Sequence, residues 1–561
     1  MKQKTKKNDF LMQGSVLAMA GLITRLIGMV YRVILTRIVG TEGMAYYNTA
    51  YEIYNLALLI STYSIPVAIS KIVADRDSKG QYVNSNRVFH VGLLVSSTIG
   101  FFASFLLLIF SGPLASFMKW PSAAIPLRVL APTIFIFSIM GIIRGFFQGK
   151  KTMVPTAFSQ VIEQIFNAIA SVLAAWLLIR AHKDAADVAA YGAAGGTTGT
   201  LVGAIFGLAF LIFVKRINNY YFDHKCLKDH TNIIDSDSEI TRTILLTMLP
   251  IILSQTVYQI SGILDNYIFS AMMFKKGMEE SAKALLYEAY SNKYKWLYNL
   301  PVAIASSFGV TIVPILSASF AKKNMKMVRE KCHSAIKLNM IVAIPSAVGL
   351  GVLARPIMLM LFNRSADELS PVLMQLGCIA VVFFALSTLT NGILQGVNLM
   401  RLPIIHAAAA LVVHIPLLII LLGPLNFGVY GMVIGNCTYG LMVCILNWNS
   451  MRTRLGYRQE LVTSFIKPAE AAGGMGIVAW AVYKVVFMIT KINLIATLMA
   501  LVLAVLTYFA LLILFKGVTE EELLGFPMGG RLVRLAKKLK LMRDESADKN
   551  KSDRNIKDDV D

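Results

Sequence analysis

The sequence predicts an all-α polytopic membrane protein. Fourteen transmembrane helices would form two six-helix lobes in a parallel pseudo-twofold repeat, plus two extra helices. Three observations predict this. Of 561 residues, 56% are apolar and 15% charged, and mean hydropathy is +0.62, whereas soluble domains carry about 25% charge. The apolar residues fall in runs long enough for a helix to cross hydrocarbon, which takes about 20 residues. Four short motifs recur in the same order in both halves.

In the first half the runs cover residues 11–39, 46–70, 88–111, 123–147, 154–179 and 188–214. In the second they cover 243–272, 285–318, 335–354, 371–396, 402–422 and 427–449, with two more at 464–488 and 492–515. Several exceed the minimum, which implies tilt or extension past the membrane. The first is interrupted by Arg25 and Arg32, unlike the core of a cleavable signal peptide. The expected organisation is a basic N-terminus (1–9), an N-lobe (10–216), an inter-lobe linker (217–242), a C-lobe (243–450), two extra helices (464–516) and a tail (517–561).

The net charge is +22. With the N-terminus cytoplasmic, 37 of the 54 lysines and arginines fall inside, ten outside and seven within spans. That bias fits the positive-inside rule with both termini cytoplasmic. It accounts for the excess charge without a nucleic-acid partner. Residues 531–543 read as a basic amphipathic helix on anionic inner-leaflet lipids. Residues 544–561 are charged and nearly free of apolar side chains, a composition that favours disorder.

The repeat rests on four pairs. Ile65-Pro66-Val67-Ala68-Ile69 resembles Leu300-Pro301-Val302-Ala303-Ile304, and the segment opening at Pro113 resembles that opening at Pro356. Gly145-x-x-Gln148-Gly149 matches Gly392-x-x-Gln395-Gly396, and Gly192-x-x-Gly195-x-x-x-Gly199 matches Gly428-x-x-Gly431-x-x-x-Gly435. A six-span unit is even, so both copies start on the same side, as in transporters that bind substrate between their halves.

Charges inside the spans mark the candidate site. Arg25 and Arg32 share one face of the first span with Gly28. Each costs about 2.5–3.5 kcal/mol at the centre of a lipid-exposed helix, so both should face protein or water. Glu52, Glu163, Asp265, Glu288, Lys293 and Lys295 lie in later spans. The functional reading is a polar cavity whose arginines and lysines hold an anion, since the planar guanidinium bonds two phosphate oxygens at once. The structural reading is mutual neutralisation, Arg32 with Glu52 and Asp265 with Lys293 or Lys295. Glu163 could take a proton or cation, or bond Gln160 or Asn167. Lys337 and Lys484 near span ends are expected to snorkel, and His406 and His414 to be packed and hydrogen-bonded.

No catalytic residue, cofactor or metal is expected. The five cysteines form no CxxC pair. Gly149-Lys150-Lys151-Thr152 lacks the earlier glycine of a P-loop, where Arg144 stands, and Lys151 occupies its Ser/Thr position. The outward loops are too short to hold the acceptor of a glycosyltransferase.

Thr24-Arg25-Leu26-Ile27-Gly28, then Arg37-Ile38-Val39-Gly40, resembles the first helix of the MOP (multidrug/oligosaccharidyl-lipid/polysaccharide) exporter superfamily. Ile65-Pro66-Val67-Ala68-Ile69-Ser70-Lys71 and the Gln148-Gly149…Pro155 turn resemble its MurJ/SpoVB/YtgP-like branch. The resemblance implies two lobes working by alternating access on an undecaprenyl-diphosphate-linked saccharide, foremost the peptidoglycan precursor lipid II. It implies a prenyl-tail groove at the last two spans, and a bacterial plasma-membrane location. Arg25 falls on a functionally important arginine of that branch. Its Arg-Asp pair falls on Tyr31-Arg32, and Lys293 or Lys295 lies nearest its basic residue in span 8. With no Asp or Glu in span 11, sodium coupling is not implied. Arg25, Arg32, Lys293 and Lys295 are the expected substrate ligands; Glu52, Asp265, Glu163 and Glu288 are the expected gating or ion-coupling groups. Alternatives are export of a capsule or teichoic precursor, multidrug export, or a non-transporting wall-assembly scaffold. A monomer is expected.

Overall fold

The computed structural model describes residues 2–231, 233–362 and 367–520, with 530 and 534. Side chains are described within these except at 2–15, 18, 63, 250–251, 253–255, 257–258, 306–315 and 318. The basic helix expected at 531–543 and the tail 544–561 lie outside the described residues, Arg534 apart. The structure is all helical among the described residues.

The chain divides into two compact units: Met1–Asn292 with Ile415–Met432, and Lys293–His414 with Val433–Asp561. The first unit contains α1 (Lys2–Leu58), α2 (Ile65–Ser78), α3 (Tyr82–Phe117), α4 (Ala124–Gly149), α5 (Val154–Ala181), α6 (Val188–Cys226), α7 (Asp237–Lys275) and α8 (Glu280–Glu288). The second contains α9 (Lys295–Ala321), α10 (Met325–Val352), α11 (Ala354–Phe362), α12 (Leu369–Gly377) and α13 (Ala380–Gly396). Helices α14 (Arg401–Leu422) and α15 (Val429–Leu455) are shared between the units, and α16 (Lys467–Thr490) and α17 (Asn493–Leu514) complete the second. Single π-turns at Leu59–Tyr63, Ala289–Tyr294 and Val462–Ile466 adjoin α2, α9 and α16. Such turns insert an extra residue and re-aim the side chains that follow.

Ten described helices are long and apolar enough to cross a membrane, or eleven if the pair α12 and α13, bent by 49°, is one span. Fourteen runs are expected from sequence. One helical stretch, Met19–Ser78, covers the first two of them. Its bend is at Gly40, where φ 79° and ψ 177° admit only glycine comfortably. The seventh and eighth runs are helical as α7 and α9, whose side chains lie partly outside the described residues.

Small residues set the packing within each unit, as they do between membrane helices. A Cβ on Gly195 would stand 2.4 Å from the Ala175 backbone, so α6 reaches α5 only because that position is glycine. Gly145 does the same for α4 against Pro66 of α2. These first-half motif glycines are therefore contact points, whereas Gly428, the second-half counterpart of Gly192, has open space around it. In the second unit, Tyr508 of α17 donates to the Ile341 carbonyl of α10 at 2.8 Å, and Asn493 to that of Pro356 at 3.0 Å. Large apolar side chains face outward: Phe101, Phe102 and Phe105 on α3, and Leu498, Val502 and Leu506 on α17. A soluble protein does not expose such faces.

The predicted linker 217–242 is helical at both ends, leaving 227–231 and 233–236 irregular. Charge ties this segment to the loops of its own unit. Arg76 pairs with Asp235 at 2.7 Å, and Asp77 receives Lys150 at 2.7 Å and Lys225 at 3.3 Å. The Asp229 carboxyl is held below its ordinary range by the Thr231 hydroxyl, then by backbone N–H groups including Val83.

Candidate functional site

Arg25 and Arg32 lie two turns apart on α1. Arg25 is exposed and Arg32 half-buried. Arg32 donates through Nη2 to Asn48 Oδ1 at 2.5 Å and through Nε to Asn292 Oδ1 at 3.0 Å. Its guanidinium also lies 5.8 Å from the centre of the Tyr47 ring. Asn292 in turn donates to Thr36 Oγ1 at 3.0 Å and to Glu288 Oε1 at 3.1 Å. Asn48 donates to Ser291 Oγ at 3.1 Å. The predicted residues Arg32 and Glu288 are thus joined through one buried amide.

A second cluster centres on Glu52. Its Oε2 accepts from Asn266 at 2.7 Å and its Oε1 from the Tyr287 hydroxyl at 2.9 Å. Asn266 Oδ1 accepts from Trp120 Nε1 at 2.8 Å. Trp120, fully buried, opens the short helical turn before α4. The Lys283 ammonium sits 4.0 Å from the Trp120 ring centre and donates to the Lys119 carbonyl, to which Ser270 also donates at 3.3 Å. Lys119 has φ 61°, an unusual conformation for a side-chain-bearing residue, so these two donors fix a strained loop. Asp265 is buried next to Asn266 on α7.

Glu163 on α5 pairs with Arg144 of α4 at 2.8 Å, and Arg144 also donates to Ser159 at 3.0 Å. Its partner is thus a guanidinium on the adjacent helix, where the sequence suggests Gln160 or Asn167.

In the second unit, Lys293 is buried in the π-turn before α9 and pairs with Asp367 at 2.5 Å. Lys295 opens α9, half-buried. Tyr294 and Tyr298 meet around Asn436: Tyr298 donates to its Oδ1 at 3.3 Å, and its Nδ2 to the Tyr294 oxygen at 3.2 Å. His406 is held by Asn447 at 2.7 Å and Ser450 at 3.0 Å, and His414 meets the Gly435 carbonyl at 3.1 Å. Lys337, expected to snorkel, is instead 5% exposed on α10. Lys484 is exposed and lies over Trp480 at 4.2 Å.

Each unit carries an apolar groove. One of about 830 Å³ runs between α1 and α5, lined by Leu26, Val30, Tyr31, Ile169 and Trp176. The other, about 390 Å³, is lined by α9, α10, α16 and α17 residues, among them Leu300, Pro345, Met475, Val505 and Tyr508. No group of three or more metal-ligating side chains occurs among the described residues.

Sequence reasoning found the charged members and missed Asn48, Asn266 and Asn292, which link them, with Trp120, Tyr287 and Asp367. Uncharged amides carry no charge signal, and their partners lie up to 260 residues away. Asp265-Asn266, adjacent polar residues inside an apolar run, is the one visible cue.

Residues 10–320 match the polysaccharide biosynthesis protein family, and residues 295–420 match the MatE family. The chain is 26% identical over 423 residues to the lipid II flippase MurJ of Bacillus subtilis (strain 168), covering 72% of this chain and 76% of that protein. It is 23% identical over 533 residues to stage V sporulation protein B of the same organism, covering 94% and 99%. The solved structure of a lipid II flippase MurJ in an inward closed conformation superposes with TM-score 0.64 at 16% identity, covering 88% of this chain and 97% of that one. At that identity the match speaks for the fold, which is MurJ- and MATE-like. The protein is a multi-pass membrane transporter and not an enzyme. The chain belongs to the polysaccharide biosynthesis protein family, in the MurJ/SpoVB-like branch of the MOP superfamily.

Proposed function

We propose that this protein flips an undecaprenyl-diphosphate-linked saccharide, with lipid II as the leading substrate, from the inner to the outer leaflet of a bacterial plasma membrane by alternating access. The observation that carries this reading is Arg32: a guanidinium within an apolar helix, oriented by two amide oxygens. A preoriented guanidinium suits a phosphate better than it suits the cationic drugs of multidrug exporters. Arg25, Arg32, Lys293 and Lys295 are the proposed diphosphate ligands. Glu52, Asp265, Glu163 and Glu288 are the proposed gating or coupling groups. The groove of the second unit has the apolar lining a prenyl tail requires. Fourteen spans in two six-helix lobes plus two, with both termini cytoplasmic, complete the proposal, as does a monomer that contacts anionic lipids through residues 531–543.

The test is a lipid II accessibility assay. A host is depleted of its own flippase, this protein is expressed, and the lipid II reached by an external probe is measured. The expected result is restored exposure that is lost with Arg25→Ala while the variant still reaches the membrane. Undiminished exposure with Arg25→Ala would contradict the basic-ligand reading. No restoration by the wild type would favour the second reading, export of a capsule or teichoic precursor, which the family's link to polysaccharide biosynthesis supports.

A further inference from the structure

Lys293 and Asp367 form an ion pair that the sequence does not disclose. Lys293 is 3% exposed and Asp367 16%. The ammonium also lies 5.7 Å from the centre of the Phe362 ring. Asp367 has a second tether: its Oδ1 accepts from the Ser370 backbone N–H at 3.0 Å, at the start of α12. Burial alone would raise the Asp367 carboxyl, but the Lys293 ammonium and the Ser370 N–H hold it below its ordinary range.

A buried ammonium stripped of its partner is costly, so Lys293 favours an anion beside it. A phosphate oxygen can supply that bond as well as a carboxylate can. Asp367 would not be stranded by the exchange, because the N-terminus of a helix favours an anion and the Ser370 N–H stays in place. Both members of the pair can therefore change partners without leaving a buried charge alone.

We propose that Asp367 is the resident counter-ion of Lys293, displaced when a phosphate of the transported lipid takes the lysine. The inference rests on the reading of Lys293 as a diphosphate ligand. Asp367 is a positioning residue: it holds the lysine in place between cycles and competes with each arriving anion. Weakly bound anions lose that competition. The ligand's apparent affinity is lowered by the fraction of time that the lysine is occupied.

The experiment uses the full chain in nanodiscs with undecaprenyl diphosphate as the probe. Binding is measured for wild type, Asp367→Asn, Lys293→Gln and the double variant. Asp367→Asn should tighten binding by about tenfold, as expected if the free lysine is available about a tenth of the time. The double variant should match Lys293→Gln. Carboxyl labelling of wild-type Asp367, read by mass spectrometry, should rise when the probe is added; this arm needs no folded variant. Binding with unchanged labelling, or Asp367→Asn binding no tighter than wild type, overturns the inference and leaves the flippase reading standing. Absence of any wild-type binding overturns both.

Discussion

A guanidinium presents five donors in one plane, and at Arg32 two of them already meet amide oxygens from α1 and from the π-turn after α8. Glu163 is different. Its described interaction is an ion pair with Arg144, on partly buried side chains. Removing one member should cost more than removing both, because the survivor is left without its partner. Glu163→Gln alone should lower stability by about 1–3 kcal/mol, less than a fully buried pair would lose. Arg144→Met with Glu163→Gln should recover most of that, measured by thermal melting in detergent. If the double variant also flips normally, the pair is structural. If it is stable but inactive, Glu163 has a coupling role. Lys283 makes a pH-dependent prediction. Burial pushes its pKa down to about 8, with Glu280 opposing and Lys119 reinforcing. An exposed lysine titrates near about 10.4. Between those values the unfolded state binds more protons, so stability should rise with pH across that window and be insensitive to this group below it. Lys283→Met should flatten the rise in melting temperature.

At the scale of elements, the bend in α1 separates its arginine-bearing half from the half that carries Asn48 and Glu52. Gly40→Ala puts a side chain where φ is 79°, at a cost of about 1–3 kcal/mol. The expected outcome is a lower melting temperature, with Arg32 parted from Asn48 in the surviving fold. An unchanged melting temperature would mean that the bend relaxes freely. Most helices were legible from apolar run length alone, α3 to α6 and α14 to α17 clearly so. The bend was not, because a lone Gly40 in an apolar stretch looks like any other glycine. Nor were the π-turns at Leu59–Tyr63, Ala289–Tyr294 and Val462–Ile466, which apolar run length does not reveal. The charged residues of the site were legible because charge is costly in hydrocarbon. Their connecting amides were not, since pairing across hundreds of residues is a property of the fold. Asp367 was hidden because a carboxylate in a loop between apolar runs is ordinary.

For the whole molecule, the outward apolar faces, the small-residue contacts and the family match describe a transporter, and an anionic cargo is what we propose for the basic groups of its spans. The most direct test of that claim is flipping by the purified protein. The protein is reconstituted in vesicles with fluorescent lipid II, and the fraction of probe reduced by an impermeant quencher is followed in time. The account predicts quenching of nearly all the probe in protein-containing vesicles, and only its outer-leaflet half in vesicles carrying Arg32→Ala. Quenching limited to the outer leaflet with the wild type, or complete quenching with Arg32→Ala, would contradict it.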